Sequence, residues 1–571
     1  MGKFNLLNES WISVITDDEG NSKEVSLKEL FLNAHIYKDL AGDTKTQDFA
    51  LMRVLLAVVY TVFTRFDANG KAYEYFDLKN FVPVNYVKED ERDEYIESLK
   101  DTWCDLWHSG KFPDIIIDYL ENWEDRFYLF DEKYPFFQVT LSDISEGKIS
   151  KSKASEIAGK NINRLISESE NKIALFSPKY SFGDNKEKLR ESEIARWLIT
   201  FQGYCGLSDK VIFGNDKYKA SKGWLFDIGG IFMKGDNLFK TLMLNFAIDY
   251  SGHCIENVQR PCWECESSDI IDSYFYPMED NISDLYTAWS RAVYINPEID
   301  LEKPFVCNVV KLPEIEHEEN FLEPMTIWKN NKIGKKEFFT PKKHQLYKSM
   351  WRSFGLITID DTGNGKRKPG IIDWFNKLKE MNILDSLNDI ELCAVSMQDD
   401  GNATSWVPTD EIIDNLFIDK FVLSDLSKNG WIDTINSVVE ITKKVVEFIY
   451  KKYIVDIKQI RNISSDLFVS EKVEELYFVI DGNFRNWISN IKFEDEKNFK
   501  MKQWEMTLRK LVLAKAEEML YCGCPRDYLG IIIGEKTSKK EIKNIATAYN
   551  SFLSFLNREL GFKEVIDGNK N

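Results

Sequence analysis

Beyond Pro408 the apolar residues of this chain recur at spacings of three and four, and this periodicity limits its fold more than any other feature. Such spacing places the apolar side chains on one face of an α-helix, and that face must be buried against other helices. We therefore predict a C-terminal four-helix bundle over residues 411–571. Gly482 is expected to weaken the second helix, and Cys-Gly-Cys-Pro at 522–525 to end the third. The four helical segments are residues 435–453, 467–488, 504–520 and 542–560.

Residues 1–410 show no single period. Short β-like runs alternate there with amphipathic helical segments, and clusters of glycine and proline interrupt the pattern. One such cluster, at 360–370, is expected to form an exposed loop. The mixture predicts a large, irregular α+β domain before the bundle, so the fold class is α+β. The clearest β-like runs are 11–15 and 305–310, and the clearest helical segments are 48–63 and 190–203.

The formal net charge of −19 argues against a protein that coats nucleic acid nonspecifically, because such binding depends on phosphate neutralisation. Any contact with nucleic acid should therefore be local. Lysine and arginine are concentrated in residues 329–348 and in Lys366-Arg367-Lys368. Ordinary solvated surface loops would explain these segments equally well.

Nine cysteines occur without a regular spacing, and no secretion signal is expected at the amino terminus. Reduced thiols and a cytoplasmic location are the expectation for such a chain. The longest apolar stretch, residues 54–63, is too short to cross a bilayer, so no membrane association is expected.

Catalytic motifs are hard to find. The five histidines are scattered, and none belongs to a His-Glu-x-x-His pattern. Residues 363–366 (Gly-Asn-Gly-Lys) superficially suggest a phosphate-binding loop, but the first glycine of that motif is missing and Arg367 stands where a serine or threonine is required. We expect a protein that is not an enzyme and that needs no cofactor.

The strongest metal candidate is a set of four ligand types within a short segment, and Cys-x-x-Cys spacing suits tetrahedral zinc. A second well-spaced pair is missing, however, so buried reduced thiols are the alternative. The four residues are His253, Cys254, Cys262 and Cys265.

Residues 221–245 form a glycine-punctuated stretch that leads into an apolar helical segment. Its glycines permit close backbone approach, and Lys222 and Lys234 could face phosphate. The alternative is a tight turn before a core helix.

This stretch, with Gly-Gly followed by Gly-x-Asn-Leu-Phe-x-Thr-Leu-x-Leu-Asn, resembles the CasA family, the large subunit of the type I-E CRISPR Cascade complex. The amino terminus agrees, with Phe4-Asn5-Leu6-Leu7 and Trp11-Ile12, although Ser13 replaces the usual proline. Residues 127–138 and 195–202 extend the resemblance in the same order.

The resemblance implies a non-catalytic subunit that reads the protospacer-adjacent motif in duplex DNA, promotes strand opening and recruits a separate helicase-nuclease. Its implied partners are the guide RNA, double-stranded target DNA, and the backbone, small and guide-5′-end subunits of Cascade. Two alternatives stay open. One is a purely architectural Cascade subunit, and the other is a zinc-dependent nucleic-acid enzyme.

The resemblance also implies positions for motif reading. Asn402 matches the family's glutamine wedge, and Gln398 is the near alternative. Lys311 is the candidate for a lysine that reaches into the minor groove. The family's glycine loop falls within residues 206–214, and its candidate residues together with two beyond it are Gly206, Lys210, Gly214, Asn215 and Lys217.

A further family segment, which anchors the subunit to the guide RNA's 5′ end and to neighbouring backbone subunits, corresponds to residues 151–169. Arg164, Leu165 and Ile166 lie at its matching end, and residues 151–160 have the polar composition of a segment that orders on binding. On the bundle, cations that could contact the displaced DNA strand are Lys500, Lys502, Arg509 and Lys510, although ordinary solvated helix faces explain them as well.

Overall fold

The computed structural model describes most of the chain, namely residues 2–77, 82–83, 86–169, 172–177, 186–206, 211–251, 253–278, 280–359, 366–383, 390–402, 406–533 and 541–562. The chain divides into two compact units. The first comprises Met1–Leu346 and Ile359–Asn415, and the second comprises Tyr347–Thr358 and Leu416–Asn571.

Helices and short strands alternate through the first unit, and helices dominate the second. The helices are α1 (Leu27–Asn33), α2 (Lys45–Phe63), α3 (Arg92–Ser109), α4 (Ile115–Asn122), α5 (Glu191–Tyr204), α6 (Leu238–Asn245), α7 (Ser267–Ser273), α8 (Ile282–Tyr286), α9 (Phe354–Thr358), α10 (Gly370–Glu380), α11 (Lys420–Leu423), α12 (Trp431–Lys444), α13 (Lys451–Arg461), α14 (Leu467–Ser489), α15 (Lys497–Tyr521), α16 (Pro525–Leu529) and α17 (Ile545–Glu559). The strands are β1 (Lys3–Asn5), β2 (Ile12–Ile15), β3 (Ser22–Val25), β4 (Asp39–Leu40), β5 (Phe76–Asp77), β6 (Val82–Pro83), β7 (Tyr128–Phe130), β8 (Ser155–Ala158), β9 (Gly230–Lys234), β10 (Asp249–Tyr250), β11 (His253–Cys254), β12 (Arg291–Tyr294), β13 (Val306–Lys311), β14 (Trp328–Ile333), β15 (Lys336–Pro341), β16 (Lys366–Arg367), β17 (Ile390–Asp399), β18 (Pro408–Ile418), β19 (Ile531–Ile533) and β20 (Glu541–Lys543).

Helix α2 is the centre of the first unit. Thr44 caps its amino end by accepting the Gln47 N–H, and its residues from Thr46 to Phe63 are buried. Among the described residues α2 alone is long and apolar enough to span a membrane, yet its apolar window is entirely buried, and a core helix meets the same two criteria. It packs against α5 and α8.

The sheets of the first unit are small, with at most three strands among the described residues. The sheet that positions the candidate site has the order β18-β17-β9, and β17 pairs antiparallel with β9 through Val395 opposite Gly230 and Glu391 opposite Lys234. A second sheet has the order β12-β13-β8.

The predicted elements of the first unit are confirmed with small shifts at their ends. Segments 48–63 and 190–203 lie in α2 and α5, and the β-like runs lie in β2 and β13. The expectation of one exposed loop over residues 360–370 is partly wrong. Lys366 and Arg367 pair with β14 as strand β16, and Gly370 begins α10, while residues 360–365 lie outside the described part.

The C-terminal bundle is confirmed. Helices α12 and α13 are joined by a π-helical segment at Val445–Tyr450, and this long helix packs with α14, α15 and α17. Trp504 fills the centre, since its ring lies 5.1 Å from Phe484 and its indole N–H donates to Thr442 Oγ1 at 2.9 Å. Helix α14 runs through Gly482, and α15 ends just before the Cys-Gly-Cys-Pro segment.

The division between the units differs from the predicted boundary after residue 410. It falls within β18, and Tyr347–Thr358 belongs to the second unit. Trp351 explains this assignment, because its ring stacks on Phe484 at 4.2 Å and its indole N–H donates to Asp481 Oδ1 at 2.8 Å. Contacts over such sequence distances leave no periodic signal.

Candidate nucleic-acid interface

Strands β17 and β18 form a hairpin whose connection begins with Asp400, Gly401 and Asn402. Gly401 has a φ of +67°, which favours glycine, and Asn402 is exposed beside it. Gln398 is half-buried within β17, and its amide nitrogen donates to the Asp399 carbonyl at 3.1 Å. Of the two predicted wedge residues, Asn402 is therefore the accessible one.

Two consecutive aspartates shape the start of the hairpin connection. Asp399 Oδ1 accepts the Gly401 N–H at 2.9 Å. Asp400 Oδ1 accepts the N–H groups of Asn402 at 3.2 Å and of Val407 at 3.4 Å. Because aspartate side chains that bind backbone two residues onward stabilise turns, the backbone beside Asn402 is fixed by its own sequence.

The other oxygens of these aspartates bind lysines from distant segments. Lys172 Nζ lies 2.6 Å from Asp400 Oδ2, and Lys343 Nζ lies 2.8 Å from Asp399 Oδ2. Lys343 also lies 3.6 Å from Asp227. We call the six charged residues beside the hairpin connection the hairpin-turn network, and they are Lys172, Lys222, Lys343, Asp227, Asp399 and Asp400.

Lys222 completes the hairpin-turn network. Its ammonium group is ion-paired with Asp227 and lies 4.1 Å from the ring centroid of Trp406, a cation–π contact with the returning side of the hairpin. Burial alone would raise the pKa of Asp227, but Lys222 and Lys343 outweigh burial and hold that pKa below its usual value. The network is thus charge-compensated around an ionised aspartate.

The predicted glycine loop begins against this hairpin. The Gly206 N–H donates to the Ile166 carbonyl at 3.0 Å, and a Cβ at this position would lie 2.1 Å from the Trp406 carbonyl oxygen. Only glycine fits so close to another backbone. The structure therefore brings Gly206 and the hairpin together, whereas Lys210 lies outside the described residues.

The far end of the loop is at the surface. Gly214 has a φ of +63°, and its N–H donates to the Lys148 carbonyl at 2.9 Å. Asn215 and Lys217 follow and are both exposed. These two side chains are accessible, as a role in nucleic-acid contact requires, although nothing in their geometry identifies a ligand.

Lys311 does not fit its predicted role. It ends β13, its backbone N–H donates to the Val211 carbonyl at 3.0 Å, and its carbonyl accepts the Tyr218 hydroxyl at 2.6 Å. Only 4% of Lys311 is exposed. The prediction that its side chain reaches into a groove is wrong for this conformation, because the pairing of β13 places the side chain inside the unit.

The predicted anchor residues are buried as well. Arg164, Leu165 and Ile166 are at most 6% exposed, and Arg164 Nη2 lies 2.8 Å from Glu187 Oε2. Ile166 adopts a φ of +47°, which is unusual for a β-branched residue. These side chains are packed inside the unit and hold the end of the segment in place, and their role as an anchor stays a prediction. Residues 155–158 are already ordered as β8.

Arg291 is a central residue that the sequence did not reveal. Its guanidinium is fully buried and ion-paired with Glu168. It also donates to the carbonyl oxygens of Ser221 at 2.6 Å and Gly206 at 2.9 Å. Arg291 therefore joins the anchor segment, the glycine loop and the glycine-punctuated stretch. A single arginine in a short strand carries no motif that would have identified it.

The glycine-punctuated stretch itself serves packing. A Cβ on Gly223 would lie 2.2 Å from the Gly203 carbonyl oxygen, and one on Gly229 would lie 2.3 Å from that of Lys342. Lys234 Nζ is paired with Asp39 at 2.7 Å, as Lys222 is with Asp227. The structure favours the alternative of a turn before a core helix, since Asn237 caps α6 directly afterwards.

The bundle cations predicted to contact the displaced strand are mostly engaged within the second unit. Lys500 pairs with Asp495 at 3.0 Å, and Lys502 pairs with Glu505 at 2.8 Å. Arg509 Nε donates to Asn557 Oδ1 at 3.0 Å. Lys510 is exposed. Contact with a displaced strand stays a prediction, and it would require Lys500 and Lys502 to exchange carboxylate for phosphate.

The four zinc candidates do not form a cluster. His253 Nδ1 lies 3.3 Å from Asp280, and Cys262 is buried as the first residue of a short 3₁₀ turn. Burial raises the pKa of Cys254 to about 12 and that of Cys265 to about 11. Among the described residues no three His, Cys, Asp or Glu side chains are placed to hold a metal, and the nine cysteines are free thiols.

Comparison with known proteins places these features in a family. Residues 5–514 match the model of the family described as CRISPR-associated protein Cse1. A curated relative, CasA/Cse1 of Thermus thermophilus, is 28% identical over 249 residues, and the match covers 43% of this chain and only 39% of that relative's length.

Solved structures share the fold across nearly the whole chain. Thermobifida fusca Cse1 superposes with a TM-score of 0.74 at 21% identity, covering 98% of this chain and 99% of that one. A chain from a structure described as a CRISPR RNA-guided surveillance complex superposes with a TM-score of 0.65 at 15% identity, covering 97% and 99%. At these identities the likeness establishes the fold, which agrees with the predicted α+β domain and helical bundle.

Proposed function

Since the chain belongs to the CRISPR-associated protein Cse1 family, we propose that it is the non-catalytic large subunit of a type I-E Cascade complex. In this role it reads the protospacer-adjacent motif in duplex DNA, promotes strand opening for guide RNA pairing, and recruits a helicase-nuclease. Its partners are the guide RNA, target DNA and the other Cascade subunits, in the cytoplasm. The similar chain within a CRISPR RNA-guided surveillance complex supports this assembly.

The observation that carries motif reading is the surface position of Asn402, a residue with a carboxamide side chain, at the start of the connection between β17 and β18. A carboxamide both donates and accepts hydrogen bonds, so it can meet the base acceptors of the minor groove as well as the guanine amino group. A side chain held on a fixed turn can also enter between base pairs and compensate for lost stacking. Gln398 is less suited, because it is half-buried in β17.

The test is binding of guide-loaded complex, assembled with and without this chain, to duplexes that carry randomised sequence beside a fixed target. We expect motif-selective enrichment only when the chain is present. Asn402→Ala should reduce that enrichment about tenfold, because one good base contact contributes about 1–3 kcal/mol of discrimination. Asn402→Gln keeps the carboxamide group and should retain part of the motif-selective enrichment.

Asn69→Ala is a matched control. Asn69 is also exposed, and Asp67 Oδ1 accepts its N–H at 2.9 Å, as Asp400 does for Asn402. This variant should behave as the wild type. Equal enrichment in the absence of the chain would instead favour a purely architectural subunit, and unchanged enrichment with Asn402→Ala would remove Asn402 from the reading site.

A further inference from the structure

We propose that Lys172 and Asp400 form a latch that fixes the start of the hairpin connection, residues 400–402, so that Lys172 is a positioning residue for Asn402. The link to motif reading rests on the proposed function, whereas the latch itself concerns the chain alone. Lys172 lies in the described segment 172–177, far in sequence from β17 and β18.

The argument begins with the two oxygens of Asp400. Oδ1 accepts the N–H groups of Asn402 and Val407, which lie on opposite sides of the hairpin connection. Oδ2 accepts the Lys172 ammonium at 2.6 Å. One carboxylate therefore couples the backbone of the connection to a separate segment, and its orientation is set from that segment.

Partial shielding from solvent gives this ion pair weight. The Asp400 and Lys172 side chains are 18% and 28% exposed, so solvent screens them less than a fully exposed surface pair. Asp399 repeats the arrangement, since one oxygen accepts the Gly401 N–H and the other binds Lys343 at 2.8 Å. Two parallel tethers of this kind restrict both position and tilt of the turn that carries Asn402.

Two substitutions separate the latch from the turn. Lys172→Met removes the ammonium and leaves the hairpin sequence intact. Asp400→Asn keeps an oxygen that can accept the Asn402 and Val407 N–H groups but removes the negative charge. If the two substitutions act by breaking the same ion pair, the double variant should show an effect no larger than that of the more severe single variant.

The first readout is hydrogen exchange in the isolated chain. We expect the Asn402 and Val407 amides to exchange about two- to fivefold faster in Lys172→Met, in keeping with a partly exposed ion pair. Lys3→Met is the control, because Lys3 forms a 2.7 Å pair with Glu298 elsewhere in the same unit. Unchanged exchange in Lys172→Met, or additive effects in the double variant, would overturn the latch.

The second readout is motif selectivity of the assembled complex. Lys172→Met should lower selectivity about two- to fivefold while leaving binding to duplexes without the motif unchanged. Uniform loss of binding with a shallower salt dependence would instead identify Lys172 as a phosphate contact and contradict the positioning role. Faster exchange in the isolated Lys172→Met chain, together with a wild-type complex that shows no motif selectivity, would keep the latch and reject the proposed function.

Discussion

At the residue scale, the first unit depends on arginines buried with glutamates. Arg53 pairs with Glu323, Arg65 with Glu264, and Arg291 with Glu168, and all six side chains are nearly inaccessible. Taking two charges out of water is costly, and the pair repays that cost only when the remaining polar atoms are also bonded. Arg65 and Arg291 also donate to backbone carbonyl oxygens of distant segments, Arg65 to Gln259 and Arg291 to Ser221 and Gly206.

Arg291→Met should therefore be strongly destabilising. It removes the guanidinium beside Glu168 and takes a donor from the carbonyls of Ser221 and Gly206. We expect the free energy of unfolding of the first unit to fall by about 3–5 kcal/mol, measured by urea denaturation. Lys3→Met, which breaks an exposed pair with Glu298, should change it by less than about 1 kcal/mol. A loss in Arg291→Met as small as this control would contradict the role of the buried pair.

At the element scale, the bundle helices show which sequence signals hold and which are overridden. Gly482 was expected to weaken its helix, yet α14 continues from Leu467 to Ser489 without a break. Tertiary packing of Leu476, Ile480 and Phe484 on one face explains this continuity, because burial outweighs the poor helix propensity of a single glycine. Its cost should nevertheless be measurable.

Gly482→Ala should stabilise the second unit by about 0.5–1 kcal/mol. Gly482 is exposed, and a Cβ there would meet nothing within 4 Å, so the change restricts the unfolded chain without a clash. Thermal unfolding of the second unit provides the measurement. Gly523→Ala is the contrast, since its Cβ would lie 2.9 Å from the Tyr528 hydroxyl oxygen. A gain at Gly523 equal to that at Gly482 would show that space around the glycine does not decide the result.

At the scale of the whole molecule, chain order and compact units do not coincide. Tyr347–Thr358 is flanked on both sides by residues of the first unit and yet belongs to the second. Its Trp351 is fully buried, stacked on Phe484. A fragment cut at the predicted boundary after residue 410 would lack this tryptophan.

Trp351→Ala should weaken the second unit selectively. Truncating a fully buried tryptophan costs about 3–5 kcal/mol, and here it also leaves Asp481 without the indole N–H. Hydrogen exchange should show loss of protection in α14 and unchanged protection in α2. Tyr347→Ala is the matched control in the same segment, because Tyr347 is 84% exposed. Equal loss in both helices would contradict the assignment of Trp351 to one unit.

Features that depend on neighbouring residues were predicted from the sequence, and features that depend on contacts between distant segments were not. Local periodicity predicted the helices that became α2, α5 and the bundle, because a repeated apolar face is written in consecutive residues. The family resemblance pointed to Gln398 and Asn402, and Asp-Asp-Gly-Asn at 399–402 forms the start of a hairpin connection. The order of motifs along the chain indicated the family before any fold was known.

Tertiary structure alone decided which polar residues are accessible. Lysine and arginine usually lie at the surface, yet strand pairing and packing bury Lys311 and Arg164. Lys172 and Asp400 meet across a sequence separation of 228 residues, and Arg291 joins three segments that no local pattern connects. Burial and ion pairing depend on which distant segments pack together in the fold. Local sequence patterns do not show which segments these are. The sequence thus determined the elements and the family, and the tertiary structure placed Asn402 at the surface and left Gln398 half-buried.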